Sequence, residues 1–146
     1  MNDKVQHWFI KSFEDYMTIK ILIDSPLMEY TTSIICFHCQ QMVEKLLKGF
    51  LTFHNMQFSK THILENLKQK CIEIDEEFQK LDFKNLSMYA VEIRYPDELN
   101  LPSIVETNQY VKIAFQTKDF ILSKLNITEE KILQWIKETK QKEEIE

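Results

Sequence analysis

The sequence predicts an all-α protein, and two observations carry that prediction. The chain of 146 residues contains one glycine and three prolines, too few turn-forming residues for a β-rich fold. Apolar residues recur at helical spacing along most of its length. Hydrophobic residues make up 44% of the chain and charged residues 28%, an ordinary balance for a globular domain. A chain of this size is expected to form one domain with a substantial core.

Two long helices open the chain. We expect the first from about Asp3 to Ile23, because its apolar residues follow helical spacing and Pro26 ends it. The second begins near Glu29 to Ser33, where the four residues after Glu29 offer capping hydroxyls, and it ends in the segment from His54 to Ser59. Its apolar arc covers more than half of the circumference, which predicts a central helix. The only glycine, Gly49, lies inside it, and close packing by another helix or by a second copy of the chain would explain that place.

Two shorter helices are predicted in the middle of the chain. Ser59 or Thr61 offers a cap for a third helix that reaches about Ile74. A short connector follows, and a fourth helix is expected from about Lys84 to Arg94, since Pro96 ends it.

Two further helices complete the prediction. Ser103 and Glu106 form a capping-box pattern for a fifth helix that ends near Leu125. Thr128 caps a final helix, whose apolar patch surrounds Trp135. That patch either docks on the body of the domain or contributes to self-association. We therefore divide the chain into a helical bundle over 1–126 and an amphipathic C-terminal tail helix over 127–146.

Charge and hydropathy exclude several classes of protein. The net charge of −5 argues against a surface dedicated to coating nucleic acid. No apolar run approaches the roughly 18 residues that a membrane-spanning helix needs. The polar start of the chain lacks the pattern of a signal peptide, and three cysteines without that signal fit a reducing compartment. A cytoplasmic protein is expected.

The familiar catalytic and metal motifs are absent. Cys36 and Cys39 form a C-x-x-C motif, but it lies inside a predicted helix, whereas redox sites of this type begin a helix. A zinc site would need a second pair of ligands, and only Cys71 and scattered histidines remain. One glycine cannot build a phosphate loop. We predict no metal, no cofactor and no catalytic residue, and buried free thiols are the preferred interpretation of the cysteines.

The second helix has one dense polar side. It carries Gln41, Glu44, Lys45 and Lys48, which predicts two side-chain pairs at helical spacing, Gln41 with Lys45 and Glu44 with Lys48. A long and largely buried helix with such a side is the main feature that a functional interpretation has to explain.

Arg94 is the only arginine among 18 basic residues. Its planar fork of donors suits a carboxylate clamp or a phosphate contact better than lysine does. The alternative is a structural pair with Glu44, Glu92 or Asp97 that holds the turn after it. Both interpretations stay open, with the structural pair favoured.

Three motifs in this order resemble HEPN domains (higher eukaryotes and prokaryotes nucleotide-binding). They are QQMVEKLLKGFL in the second helix, KTHIL at 60–64 and RYPDE at 94–98. The resemblance covers roughly the first 125 residues, a one-domain length. It implies an antiparallel up-and-down bundle of four to five helices, followed here by the tail helix, and frequently a homodimer.

The resemblance also limits the function. Many HEPN domains are ribonucleases with an R-x4-6-H motif, but no histidine follows Arg94 in this chain. The chain is instead similar to the RYPDE type, small bacterial proteins often encoded beside a minimal nucleotidyltransferase in a toxin–antitoxin-like pair. The resemblance implies that the positions for a nucleotide, a polyphosphate or that partner are Gln41, Glu44, Lys45, Lys48, His62, Arg94, Tyr95 and Asp97.

Two functional hypotheses follow, and a third explanation stands beside them. The first is a non-catalytic, homodimeric HEPN module that binds a nucleotide or a nucleotidyltransferase. The second is a divergent HEPN nuclease or phosphate-transfer enzyme that uses Lys45, His62, Arg94 and Asp97. In the third, the polar residues form a buried network that only stabilises the fold. For His62, a hydrogen bond at the start of the third helix is favoured over ligand contact.

Overall fold

The computed structural model describes residues 1–91 and 99–145. Within them the chain forms five α-helices and short 3-10 segments, and no strand is present in those residues. The all-α prediction is therefore confirmed. None of the described helices is long and apolar enough to cross a membrane. The helices are α1 (Asp3–Ile23), α2 (Thr32–Phe53), α3 (Leu64–Ile74), α4 (Ile104–Leu125) and α5 (Glu129–Ile145).

Helices α1 and α2 form an antiparallel hairpin. The Asn2 side chain caps α1 by accepting a hydrogen bond of 3.0 Å from the Val5 N–H. Phe9 near the start of α1 packs on Gly49 near the end of α2, whereas Asp15 further along α1 contacts His38 near the start of α2. These contacts require the two helices to run in opposite directions.

Gly49 allows α1 and α2 to approach closely. A Cβ atom at this position would lie 2.8 Å from Cζ of Phe9, which is itself fully buried. The contact lies within one chain, so a second copy is not needed to explain the glycine.

Helix α2 is the centre of the bundle and contacts α1, α3 and α4. Cys36 near its start lies 3.8 Å from the Thr107 hydroxyl near the start of α4. At its other end Phe50 packs on Phe78, which packs on Phe120 of α4. Helices α2 and α4 therefore run in the same direction, as alternate helices of an up-and-down bundle do.

Helix α3 begins later than the sequence predicts. Neither Ser59 nor Thr61 caps it, and the residue before its first turn is Ile63, whose side chain makes no capping hydrogen bond. The Leu64 N–H instead donates to the Ser87 hydroxyl at 3.0 Å. The reason is tertiary, because the preceding segment, which is not helical, brings His62 against α2.

The predicted fourth helix is wrong for the part of it that the structure describes. Lys84 has φ 51°, a left-handed conformation that cannot continue an α-helix. Only Leu86–Tyr89 forms a 3-10 turn, and Leu86 and Tyr89 are buried against the bundle. Residues 92–94 of that prediction lie outside the described residues.

The last two helices have the predicted caps. Ser103 accepts a hydrogen bond of 3.0 Å from the Glu106 N–H at the start of α4, and Thr128 accepts one of 3.1 Å from the Lys131 N–H at the start of α5. Asn126 between them adopts φ 54°, a left-handed conformation suited to asparagine at a helix end.

Helix α5 docks on the body of its own chain. Trp135 is 4% exposed, and α5 contacts α1. Lys118 of α4 supports the corner, since its Nζ lies 2.7 Å from Glu129 Oε2 and 4.1 Å from the centre of the Tyr16 ring. Beyond Ile136, nearly all described side chains of α5 are exposed. The division of the chain at residue 126 stays a prediction.

Candidate functional site

The polar side of α2 carries two adjacent hydrogen-bond networks. We call the first the Glu44 network, and its members are Gln40, Gln41, Glu44, Lys48 and His62. The second is the Asp15 network, and its members are Asp15, His38 and Lys45. All five of the candidate residues that the structure describes therefore belong to one network or the other.

Glu44 is the hub of the first network. Its Oε2 accepts a hydrogen bond from Lys48 Nζ at 2.9 Å, and its Oε1 accepts one from the Gln40 amide at 3.1 Å. Nδ1 of His62 lies 2.9 Å from the same Oε1. The Gln40 amide also donates to the His62 carbonyl at 3.0 Å. These contacts attach the segment before α3 to the central helix, whereas the role favoured for His62 from the sequence is a hydrogen bond at the start of the third helix.

The Glu44 carboxyl is ionised at neutral pH. Burial raises its pKa, but the hydrogen bonds from Lys48, His62 and Gln40 outweigh burial and hold the pKa below its ordinary value. The pairing of Glu44 with Lys48 is the one predicted from helical spacing. Because the Lys48 side chain is only 9% exposed, its ammonium group depends on this carboxylate for compensation.

The second network joins α2 to α1. Lys45 Nζ donates to Asp15 Oδ2 at 2.7 Å, and His38 Nδ1 lies 2.8 Å from Asp15 Oδ1. The predicted pair of Gln41 with Lys45 does not form, because the buried carboxylate of Asp15 binds Lys45 instead. Gln41 donates to Gln40 Oε1 at 2.8 Å.

Sequence reasoning missed Asp15 and His38. A signal was present, because Asp15 stands between Phe13 and Tyr16 on the buried face of α1. A carboxylate in such a place needs a charged partner on the facing helix. His38 and Lys45, seven residues apart, share the face of α2 that meets it.

Three predicted site residues, Arg94, Tyr95 and Asp97, fall within 92–98 and so lie outside the described residues. Whether they meet the two networks stays a prediction.

The cysteines are placed for packing rather than for reaction. All three are buried and free. Burial raises the pKa of Cys36 to about 11 and that of Cys71 to about 12, and it raises the pKa of Cys39 well above its ordinary value. Such thiols carry almost no thiolate at neutral pH. Within 1–91 and 99–145 no group of three His, Cys, Asp or Glu side chains could hold a metal ion.

The structure also has an open groove of about 1140 Å³. We call it the N-terminal groove, because it lies between the first turns of α1 and the residues that follow α2. Lys48 connects it to the Glu44 network, since its Nζ lies 5.5 Å from the centre of the Trp8 ring. The lining residues are Asn2, Asp3, Lys4, His7, Trp8, Lys11, Thr52, Asn55, Met56, Gln57 and Phe58.

Comparison with known proteins gives the same family as the three sequence motifs. A sequence model of the HEPN domain matches residues 5–139. The match includes much of α5 and so extends beyond the roughly 125 residues of the motif-based resemblance. No curated protein and no solved structure gives a significant match. The family match spans nearly the whole chain and the observed fold is a helical bundle, so this chain belongs to the HEPN domain family.

Proposed function

We propose that this chain is a non-catalytic HEPN module that acts as a homodimer and binds the phosphates of a nucleotide along the polar side of α2. The observation that carries the proposal is the arrangement of the candidate residues on that side. Glu44 and Asp15 hold the ends of Lys48 and Lys45 at 2.9 and 2.7 Å. His62 is attached to the same network and keeps 66% of its side chain exposed.

Electrostatics decide which of these groups meets a phosphate. Lys48 is compensated by Glu44 and is nearly buried, so it contributes little net attraction. Lys45 is 21% exposed and His62 is 66% exposed, and both can donate hydrogen bonds to phosphate oxygens. Arg94 is the third donor in the proposal, on the strength of its place in the RYPDE motif.

Exposed apolar side chains support self-association or a protein partner. Leu101, just before α4, is 68% exposed, and Ile104 and Val105 in its first turn are 44% and 80% exposed. Large apolar side chains that share an exposed surface mark interaction sites. A second copy of the chain is the proposed occupant, and a minimal nucleotidyltransferase is the alternative.

A thermal-shift titration tests the nucleotide binding. ATP, GTP and their diphosphates are titrated against wild type, His62→Gln and Arg94→Ala at fixed protein concentration. A ligand at 100 times its Kd adds about 2.7 kcal/mol of apparent stability. We expect a rise in Tm for wild type that is reduced in both variants and kept in Lys70→Gln, a control on the exposed side of α3.

The absence of any shift in wild type would refute the nucleotide proposal. Multi-angle light scattering tests the homodimer separately, and a monomer at micromolar concentration would refute that part.

A divergent HEPN nuclease or phosphate-transfer enzyme is the second candidate, and one observation favours it. Asp15 and Glu44 each bind Nδ1 of a histidine, an arrangement that orients the other ring nitrogen for proton transfer. The R-x4-6-H motif is nevertheless absent. Turnover of RNA or nucleotide by wild type, lost in His62→Gln or Arg94→Ala, would replace the non-catalytic proposal with this one.

A further inference from the structure

The N-terminal groove has a basic wall on one face of α1. Lys4, His7 and Lys11 are exposed and line the groove together with Trp8. Their spacing of three, four and seven residues places all four side chains on the same face of a helix. This face extends over roughly 10 Å along the helix axis. A ligand in the groove would therefore contact several of these side chains at once.

The charge of the groove is opposite to that of the protein. Two lysines, Lys4 and Lys11, and one acidic side chain, Asp3, are found among its described lining residues, together with His7. The whole chain has 23 acidic and 18 basic residues. Lys11 also bridges to Glu14 at 3.1 Å, but both side chains are more than 60% exposed, so this pair neutralises little of its charge toward a ligand. An anionic ligand is the complementary occupant.

Aromatic side chains also line the groove. The rings of Trp8 and Phe58 lie 6.4 Å apart at an angle of 59°, and both side chains are only half-buried. The amide groups of Asn55 and Gln57 stand beside them in the lining. Aromatic rings next to amides and cations form a surface on which a nucleobase can stack while its edge accepts or donates hydrogen bonds.

Lys48 lies between the groove and the site proposed for phosphates. Lys48 Nζ lies 5.5 Å from the centre of the Trp8 ring and 2.9 Å from Glu44 Oε2. Glu44 Oε1 in turn lies 2.9 Å from His62 Nδ1. One lysine side chain thus separates the aromatic surface from the histidine network, a distance that a ribose and a short phosphate chain can span.

We propose that the N-terminal groove binds the base of the nucleotide, stacked against Trp8 and Phe58, and that its basic wall attracts the anionic ligand. This inference rests on the proposed nucleotide binding. It adds that the chain binds a nucleotide more tightly than a free polyphosphate. In this proposal the base is recognised in the groove, and the phosphates bind on the polar side of α2.

Intrinsic fluorescence provides a direct test, because the chain has two tryptophans. In Trp135→Phe the remaining tryptophan is Trp8, so its emission reports on the groove alone. We expect ATP to change that emission in a saturable titration, whereas tripolyphosphate leaves it unchanged and binds about tenfold more weakly, the factor expected from stacking of one base. Competition by tripolyphosphate measures its affinity in the same cuvette.

Phe58→Leu is the variant that tests the aromatic surface, since it keeps an apolar side chain at that position. We expect it to weaken ATP binding about tenfold and to leave tripolyphosphate binding unchanged. Phe53→Leu is the matched control, because Phe53 is a partly exposed aromatic residue that does not line the groove. Circular dichroism verifies that both variants are folded.

The outcomes separate this inference from the proposed function. Equal affinity for ATP and tripolyphosphate, with no effect of Phe58→Leu, would overturn base recognition and leave phosphate binding intact. Binding of ATP and adenosine without binding of tripolyphosphate would support the groove and overturn the phosphate site on α2. Failure of all three ligands to bind would overturn both.

Discussion

Replacement of Glu44 by alanine is the sharpest test of the polar side of α2. The substitution leaves the Lys48 ammonium group, on a side chain only 9% exposed, with the Trp8 ring as its described partner. Removal of one partner of a buried ion pair costs roughly 3–5 kcal/mol, and the residual exposure of Lys48 places the loss near 3 kcal/mol. The lost contact to His62 adds little, because that side chain is 66% exposed.

Urea denaturation followed by circular dichroism measures this loss. A decrease of about 3 kcal/mol in the free energy of unfolding corresponds to roughly 10 °C in Tm for a domain of this size. Glu143→Ala, on the exposed end of α5, is the control and is expected to change stability by less than about 0.5 kcal/mol.

A double variant separates the pair from its surroundings. Glu44→Leu combined with Lys48→Met removes both charges, so it is expected to recover most of the stability that Glu44→Ala loses. If Glu44→Ala is as stable as the Glu143→Ala control, the description of Lys48 as dependent on Glu44 is refuted. If Glu44→Ala loses stability and no nucleotide binds, the polar side of α2 only stabilises the fold. This is the third explanation offered by the sequence.

Three more predictions follow from the packing and the ion pairs. The pKa of Glu44 is lowered in the fold, so its contribution to stability is present above the ordinary pKa of 4.5 and is lost as pH falls through the folded pKa. The difference in stability between wild type and Glu44→Gln should therefore shrink from pH 5 to pH 3. A constant difference would contradict this. Gly49→Ala should lose about 1 kcal/mol by urea denaturation, since overpacking against Phe9 at 2.8 Å exceeds the gain in helix propensity; a more stable variant would show that the ring moves freely. Trp135→Ala should lose about 3 kcal/mol in the same assay and Leu133→Ala, at 43% exposure, less than about 1 kcal/mol; equal losses would mean that α5 is not docked through Trp135.

The local signals in the sequence predicted most of the helices well. Helix α1 spans Asp3–Ile23 as expected, and the caps at Ser103 and Thr128 are formed. These features depend on residues within one turn of each other, so the sequence alone is sufficient to predict them. The HEPN family was likewise predicted from short ordered motifs and is confirmed by the match over 5–139.

The two errors in the middle of the chain have different causes. The start of α3 was placed too early because His62 is held by Glu44 and Gln40, 18 and 22 residues away. The fourth predicted helix is wrong for its described residues, because Lys84 takes a left-handed conformation and only Leu86–Tyr89 forms a 3-10 turn. The contacts of His62 leave no signal in the neighbouring residues, whereas the turn at Lys84 has a local one, because the Lys84 N–H donates to Asp82 Oδ1 at 3.0 Å.

The candidate site shows the same division. The composition of α2 determined that one polar side would exist and that Glu44 and Lys48, one turn apart, would pair. The tertiary structure decided that Lys45 binds Asp15, which also contacts His38, and that Trp8 and Phe58 line a groove near Lys48. The physical reason is that pairs within a helix are set by its 3.6-residue period, whereas partners on other helices depend on how the apolar faces pack and which buried charges then require compensation.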